Sequence, residues 1–271
     1  MKTLISPERK WFDFGFKQLW QYRELLFTLA TRDIKLRYQQ TFLGIVWVIL
    51  QPVLTSVIFS LVFGRLAKLP SDNVPYELFA FAGLLPWNLF KDSIQRAANS
   101  VVAEKNLIDK VYFPRMIIPF SYSASALFDF FVVLLANIVI FIFFGYYPTW
   151  KIIFFPLLLV INLFLASGIG LIVSALSAYY RDFIYAVPFL MQTWLYISPI
   201  AYSSTLIPKN WMFVYDLNPL VGVLEGFRWM LLDGDVFPWS AVIKSFLIGI
   251  MIFIAGTLVF RRIEDNFADV I

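Results

Sequence analysis

Cysteine and histidine are both missing from this 271-residue chain. Their absence excludes disulfides, Cys/His zinc sites, a catalytic thiol and an imidazole base. Charge is scarce as well, at 15% of residues against 60% hydrophobic, with a mean hydropathy of +0.75. A soluble domain carries about a quarter charged residues, so the chain reads as a polytopic helical membrane protein. Segments that alternate apolar and polar residues are lacking too: the apolar runs, such as IVIFIFFGYY and LLLVINLFLA, are continuous, which rejects a β-barrel. No G-x-x-x-x-G-K-[ST] phosphate loop and no dinucleotide-type glycine pattern occurs, so the chain carries no nucleotide engine of its own. About 40 mostly polar or amphipathic residues precede the first apolar run, a pattern unlike a cleavable signal peptide.

What is present begins with the stretch from Leu25 to Ala67. A basic segment holding Arg32, Lys35 and Arg37 passes into a charge-free run from Phe42 to Phe63, long enough to cross a ~30 Å hydrocarbon layer. Upstream, Phe16, Leu19, Trp20, Leu26, Leu29 and Ala30 recur at three and four residues, with Lys17, Arg23, Glu24 and Arg32 between them. That is the pattern of an interfacial helix. Further spans are expected over Tyr76 to Phe90, Ile117 to Phe144, Ile152 to Ala178, Ile184 to Tyr202 and Ala241 to Phe260, giving six.

Sixteen of the 22 Lys and Arg then fall inside and six outside, which predicts cytoplasmic termini. The net charge of +4 is thus sorted by membrane side rather than gathered into one stripe, so nucleic-acid binding is not expected. The expected organisation is an all-α integral membrane protein. It comprises a cytoplasmic N-terminus over 1–41, a six-span domain over 42–260 with an inner loop near 100–116 and an outer loop near 203–238, and a cytoplasmic tail over 261–271.

Three local patterns refine this layout. Asn88, Asp92, Gln95 and Asn99, spaced four, three and four, give the second span one wet face that lines a cavity or extends into the cytoplasm, with Pro86 placed to kink it. Ala166, Gly170, Ser174 and Ala178 form a small-residue ridge, equally suited to internal packing or to a seam with a second copy. In the outer loop Asn218 reads as an N-cap and Pro219 as the first helical residue, with Gly234 past the end. That predicts a short amphipathic helix tucked against the outer face or re-entering the membrane. Asp129 is the clearest intramembrane acid.

Taken in order, RDIKLRYQQTFLGIVWVILQP, SLVFGRLA, LLPWNLF, EKNLIDKVYFPR, LSAYYRDF, SPIAY and NPLVGVLEGFR resemble the permease subunit of a type-2 ABC transporter. The branch is that of O-antigen, capsular and teichoic-acid polysaccharide exporters, and the resemblance covers about residues 20 to 262. It implies a homodimer of six-span subunits in the bacterial cytoplasmic membrane, moving a lipid-linked polysaccharide. Two copies of a separate ATPase would bind ATP and Mg, leaving this chain a transport subunit without a cofactor or catalytic residue. It also implies a coupling helix over Glu104 to Arg115, with Arg181 nearby. Read physically, Leu107, Val111 and Tyr112 can form an apolar ridge there while Glu104, Lys105, Asp109, Lys110 and Arg115 supply docking charges. The alternative is a helix that lies on the lipid surface.

A sliding sugar chain needs contact without tight capture, which aromatic faces provide. Candidate channel-lining rows are Trp47, Gln51, Thr55 and Phe59 in the first span and Tyr185, Phe189, Gln192 and Tyr196 in the fifth. The alternative is that these aromatics face lipid or pack against neighbouring helices; Gln51 and Gln192 tip the balance, since an unpartnered amide in hydrocarbon costs several kcal/mol and is better placed facing a wet path or another helix. Competing functions are export of a small hydrophobic drug or lipid, an integral-membrane glycosyl or prenyl transferase, and a passive channel or secondary carrier. The transferase would need clustered acids, whereas the 18 Asp and Glu are scattered.

Overall fold

The computed structural model describes residues 16–39, 41–72, 74–264 and 267. Residues 1–15 and most of the expected tail lie outside the described residues. Eleven α-helices carry the described chain: α1 (Phe16–Gln21), α2 (Arg23–Tyr38), α3 (Val46–Phe59), α4 (Tyr76–Ala103), α5 (Lys105–Lys110), α6 (Ile117–Phe143), α7 (Phe155–Tyr179), α8 (Asp182–Ile197), α9 (Met212–Asp216), α10 (Val221–Leu231) and α11 (Trp239–Ile263). A π-helical segment, Ser60–Leu66, extends α3, and a 3₁₀ segment, Trp150–Phe154, leads into α7.

Among the described residues four helical stretches are long and apolar enough to cross a membrane: Val46–Leu66, Ile117–Phe143, Trp150–Tyr179 and Trp239–Ile263. The two other expected spans fall on α4 and α8, and each differs from them for a visible reason. α4 has 28 residues but carries the polar row Asn88, Asp92, Gln95 and Asn99, which lowers its hydropathy. α8 has only 16 residues because its end meets Pro199, which has no N–H to continue a helix, and Ser198 turns extended (ψ 148°). The expected entry at Phe42 also moves. Gly44 adopts φ +49°, a conformation that suits glycine, so α2 and α3 are separated by a turn and the span starts at Val46.

α4 is the central element and packs against α3, α6, α7, α8 and α10. Its apolar faces explain that position: Leu78, Phe79, Leu84, Leu85, Phe90 and Ile94 are all fully buried. The helix runs unbroken through Pro86, whose carbonyl accepts a hydrogen bond from Asn162 Nδ2 at 2.9 Å. The small-residue ridge of α7 is internal packing. Ala166, Gly170, Ser174 and Ala178 are all buried, and a Cβ on Gly170 would stand 3.1 Å from Ala97 of α4. The opposite side of α7 meets α11 at a backbone-on-backbone crossing, where a Cβ on Gly168 would lie 2.7 Å from the Phe253 backbone.

α10 re-enters the bundle rather than resting on it, with nine of its 11 residues buried. Asn218 does cap the preceding turn, its Oδ1 accepting from Leu220 N–H at 3.1 Å, but the helix proper begins at Val221. The left-handed residue after the end is Asp233 (φ +58°), not Gly234. Arg228 fixes the helix in depth. Its guanidinium lies 3.7 Å over the Phe79 ring and donates to the Ile200 carbonyl at 2.7 Å, which compensates burial of the cation. Tyr76 donates to the neighbouring Ala201 carbonyl, so the turn after α8 is tied to both α4 and α10.

Candidate functional site

A cavity of about 780 Å³ opens between the end of α2, α3, α4 and α6. The sequence spacing puts two polar rows on its walls. Asn88, Asp92, Gln95 and Asn99 all project from one face of α4, and Trp47, Gln51 and Thr55 face them from α3. The fourth member of the α3 row does not take part. Phe59 is buried on the core side, edge-on to Phe63 with ring centroids 5.3 Å apart, because a four-residue step drifts around a 3.6-residue turn.

The α8 row lies elsewhere on the molecule. Tyr185, Phe189 and Tyr196 are 80%, 69% and 58% exposed, Gln192 is exposed beside them, and none borders the cavity. Val187 and Met191 of α8 are buried and Phe183, Ile184, Trp194 and Leu195 are half-buried, so the helix packs along one side and presents the side carrying this row outward. A single copy therefore holds two lining candidates on separate faces and does not bring them together.

At the end of the cavity next to α2, Asp33 and Arg37 turn toward the bundle. Asp129 of α6, 7% exposed, pairs with Arg96 of α4, accepts from the Tyr38 hydroxyl at 2.5 Å and faces Arg37 at 3.9 Å. Asp33 accepts from Arg37 at 2.9 Å and from the Ser125 hydroxyl at 2.5 Å, while Arg96 also donates to Ser125 at 3.1 Å. Burial first, then the Asp129 hydrogen bond, pushes the Tyr38 phenol well above its ordinary pKa, so it stays a donor. Sequence reasoning singled out Asp129 but missed this cluster. The available signal was the four-residue step from Asp33 to Arg37, which places those two charges on one helix face next to Tyr38. Trp20 of α1 and Phe27 and Leu36 of α2 are exposed, at 72%, 64% and 69%, whereas Leu29 and Ala30 of α2 are buried and Leu25 and Leu26 pack beside them. α2 therefore meets the bundle through these apolar residues together with Asp33, Arg37 and Tyr38, and leaves Arg23, Glu24, Arg32 and Lys35 exposed.

The inner loop divides its candidate residues into two groups. Glu104 is buried, paired with Arg32 and accepting from Tyr122 at 3.0 Å. Arg115 donates to the Glu264 carbonyl and lies 6.0 Å from the Phe267 ring, so it ties the end of α11 to the loop. Lys105, Asp109 and Lys110 are exposed, as is Arg181 at the turn into α8. Leu107 is half-buried against the cluster that contains Leu29 and Ile108, whereas Val111 and Tyr112 are exposed. The result is a short helix anchored by Ile108 and Leu107 that shows charge and two apolar side chains to its surroundings.

Comparison with known proteins bears on what such an arrangement is for. The sequence profile described as ABC-2 type transporter matches residues 24–232. The O-antigen export system permease protein RfbA of Myxococcus xanthus is 27% identical over 255 residues, covering 93% of this chain and 97% of its own length. A protein of the same name from Klebsiella pneumoniae is 26% identical over 252 residues, covering 92% and 95%. The polysialic acid transport protein KpsM of Escherichia coli is 23% identical over 245 residues, covering 88% and 92%.

Proposed function

The chain belongs to the ABC-2 type transporter family, and from that premise we propose that it is the transmembrane subunit of an ATP-driven exporter of lipid-linked polysaccharide in the bacterial cytoplasmic membrane. The observation that carries this reading is end-to-end similarity to polysaccharide-export permeases, combined with a cavity walled by amides and hydroxyls among apolar helices. Two further elements complete six spans. At 1.5 Å per residue α4 is roughly 42 Å long and α8 roughly 24 Å, and the tied turn after α8 continues it toward the outer face. Both termini are then cytoplasmic, in accord with the distribution of Lys and Arg.

In this reading two copies of the chain associate so that the outward row of α8 from one copy meets the α3 row and cavity of the other. Tyr185, Phe189, Gln192 and Tyr196 then join Trp47, Gln51 and Thr55 along one path. Two copies of a separate ATPase, which bind ATP and Mg, dock on the exposed side of α5 through Lys105, Asp109 and Lys110, with Arg181 alongside. Glu104 and Arg115 act indirectly, by holding α5 on the bundle. ATP-driven approach of the two ATPase copies pushes α5, and with it the inner end of α4, which it follows directly in the chain. The cavity wall carrying Gln95 and Asn99 moves as a consequence.

The test is co-purification from native membranes with the partner ATPase, comparing the wild type with Lys105→Glu/Lys110→Glu. The expected result is an equimolar ATPase with the wild type and at least a tenfold loss with the variant, at unchanged membrane insertion. A variant that retains its full ATPase complement and exports normally refutes docking at α5.

A further inference from the structure

The cavity's charges and its amides are in opposite states. Three cations line it, Arg37, Lys91 and Arg96, and each already faces a carboxylate: Asp33 at 2.9 Å, Asp92 at 3.2 Å and Asp129. Three positive and three negative side chains cancel, and among the described residues no cation on the wall is left over for a ligand. The amides are uncommitted. Gln51, Gln95 and Asn99 border the cavity and make no side-chain hydrogen bond to another described residue, although each offers two donors and an acceptor with two lone pairs. Trp47, 46% exposed, adds an aromatic face.

We infer that this cavity selects an uncharged, hydroxyl-rich glycan and disfavours a polyanionic one, an inference that rests on the export reading above. Sugar hydroxyls both donate and accept, so free amides can replace the water they lose, and the indole contacts the apolar C–H face of a ring. A carboxylated sugar entering the same space loses hydration without gaining a cation, because recruiting Arg96 or Arg37 would strip Asp129 or Asp33 of its partner. Acyl chains are a poor match for the same wall, since they would leave three amides dry.

The experiment uses the permease with its ATPase in proteoliposomes and two cargoes on one polyprenyl diphosphate carrier, an uncharged mannan and polysialic acid, with luminal accumulation and cargo-stimulated ATP hydrolysis as readouts. The mannan is expected to move at least tenfold faster, and Gln95→Lys/Asn99→Lys, which supplies free cations, should narrow that ratio at least threefold. Polysialic acid moving within twofold of the mannan overturns the inference while leaving export intact. An unchanged ratio in the lysine variant overturns the assignment of selection to this cavity. Movement of neither cargo by an assembled, ATP-hydrolysing complex refutes the glycan-export reading itself.

Discussion

Replacement of Asp129 is the most informative single perturbation of the inner cluster, because one carboxylate there holds α2, α4 and α6 together. Asp129→Ala leaves Arg96, whose side chain is 10% exposed, with only the Ser125 hydroxyl, and also removes the acceptor for Tyr38. Leaving one member of a buried ion pair uncompensated costs about 3–5 kcal/mol. Arg96→Met should cost less, about 2–3 kcal/mol, since Asp129 keeps the Tyr38 hydrogen bond and the charge of Arg37 at 3.9 Å. The double variant Arg96→Met/Asp129→Leu removes both charges and fills the space, so its loss should fall short of the sum by at least ~2 kcal/mol. Thermal unfolding of purified protein in nanodiscs measures this, at roughly 2–4 °C per kcal/mol for a chain of this size. The expected order is Asp129→Ala below Arg96→Met, with the double variant near the better single. Strict additivity, or an Asp129→Ala shift under about 2 °C, would refute the reasoning, since it would mean that these groups are hydrated and independent.

Three other outcomes are expected. Gly256→Ala puts a methyl onto the Gly168 carbonyl, where backbone faces backbone and neither can yield, so it should cost about 2–3 kcal/mol; Gly249→Ala on the same helix meets Leu165 at an ordinary 3.4 Å and should be neutral, and equal melting shifts would sink the close-crossing account. Single cysteines placed in this cysteine-free chain should react with an impermeant thiol reagent in intact cells at Asn210 but not at Asn106, and labelling at Asn106 would overturn the orientation. Tyr196→Ala or Phe189→Ala should slow polymer export several-fold at unchanged assembly and ATP hydrolysis, whereas Val139→Ala and Phe143→Ala on the exposed side of α6 should do little, and equal effects from both sets would remove the α8 row from the path.

Legibility in the sequence followed the kind of signal involved. Where a long apolar run has no competing demand, as in α6, α7 and α11, bilayer thickness alone sets the element, and the helices start and stop within a few residues of expectation. The ends are less legible where one residue's backbone decides. Gly44 moves the entry of the first span and Pro199 stops α8 early, and neither effect is visible in hydropathy. The α7 ridge illustrates a different gap. Its spacing shows that something packs closely, but only the fold identifies Ala97 on α4 as the occupant.

The site divides in the same way, and the division explains why charge was the harder part to read. A polar residue in an apolar helix has one strong requirement, to leave hydrocarbon, so the row from Asn88 to Asn99 announced a wet face and the cavity is there. Charged residues at a membrane boundary have two solutions, water or a partner, and the sequence does not choose between them. Asp109, Lys110 and Arg181 take water, whereas Glu104 and Arg115, in the same loop as the first two, take Arg32 and the Glu264 carbonyl. The choice is made by what stands opposite. Arg32 lies 72 residues from Glu104, and the two meet only because α2 folds back along α6, beside the end of α4 that Glu104 closes. A docking surface assigned from local sequence will therefore include residues that instead hold the surface in place, and their substitution should lower stability before it lowers affinity.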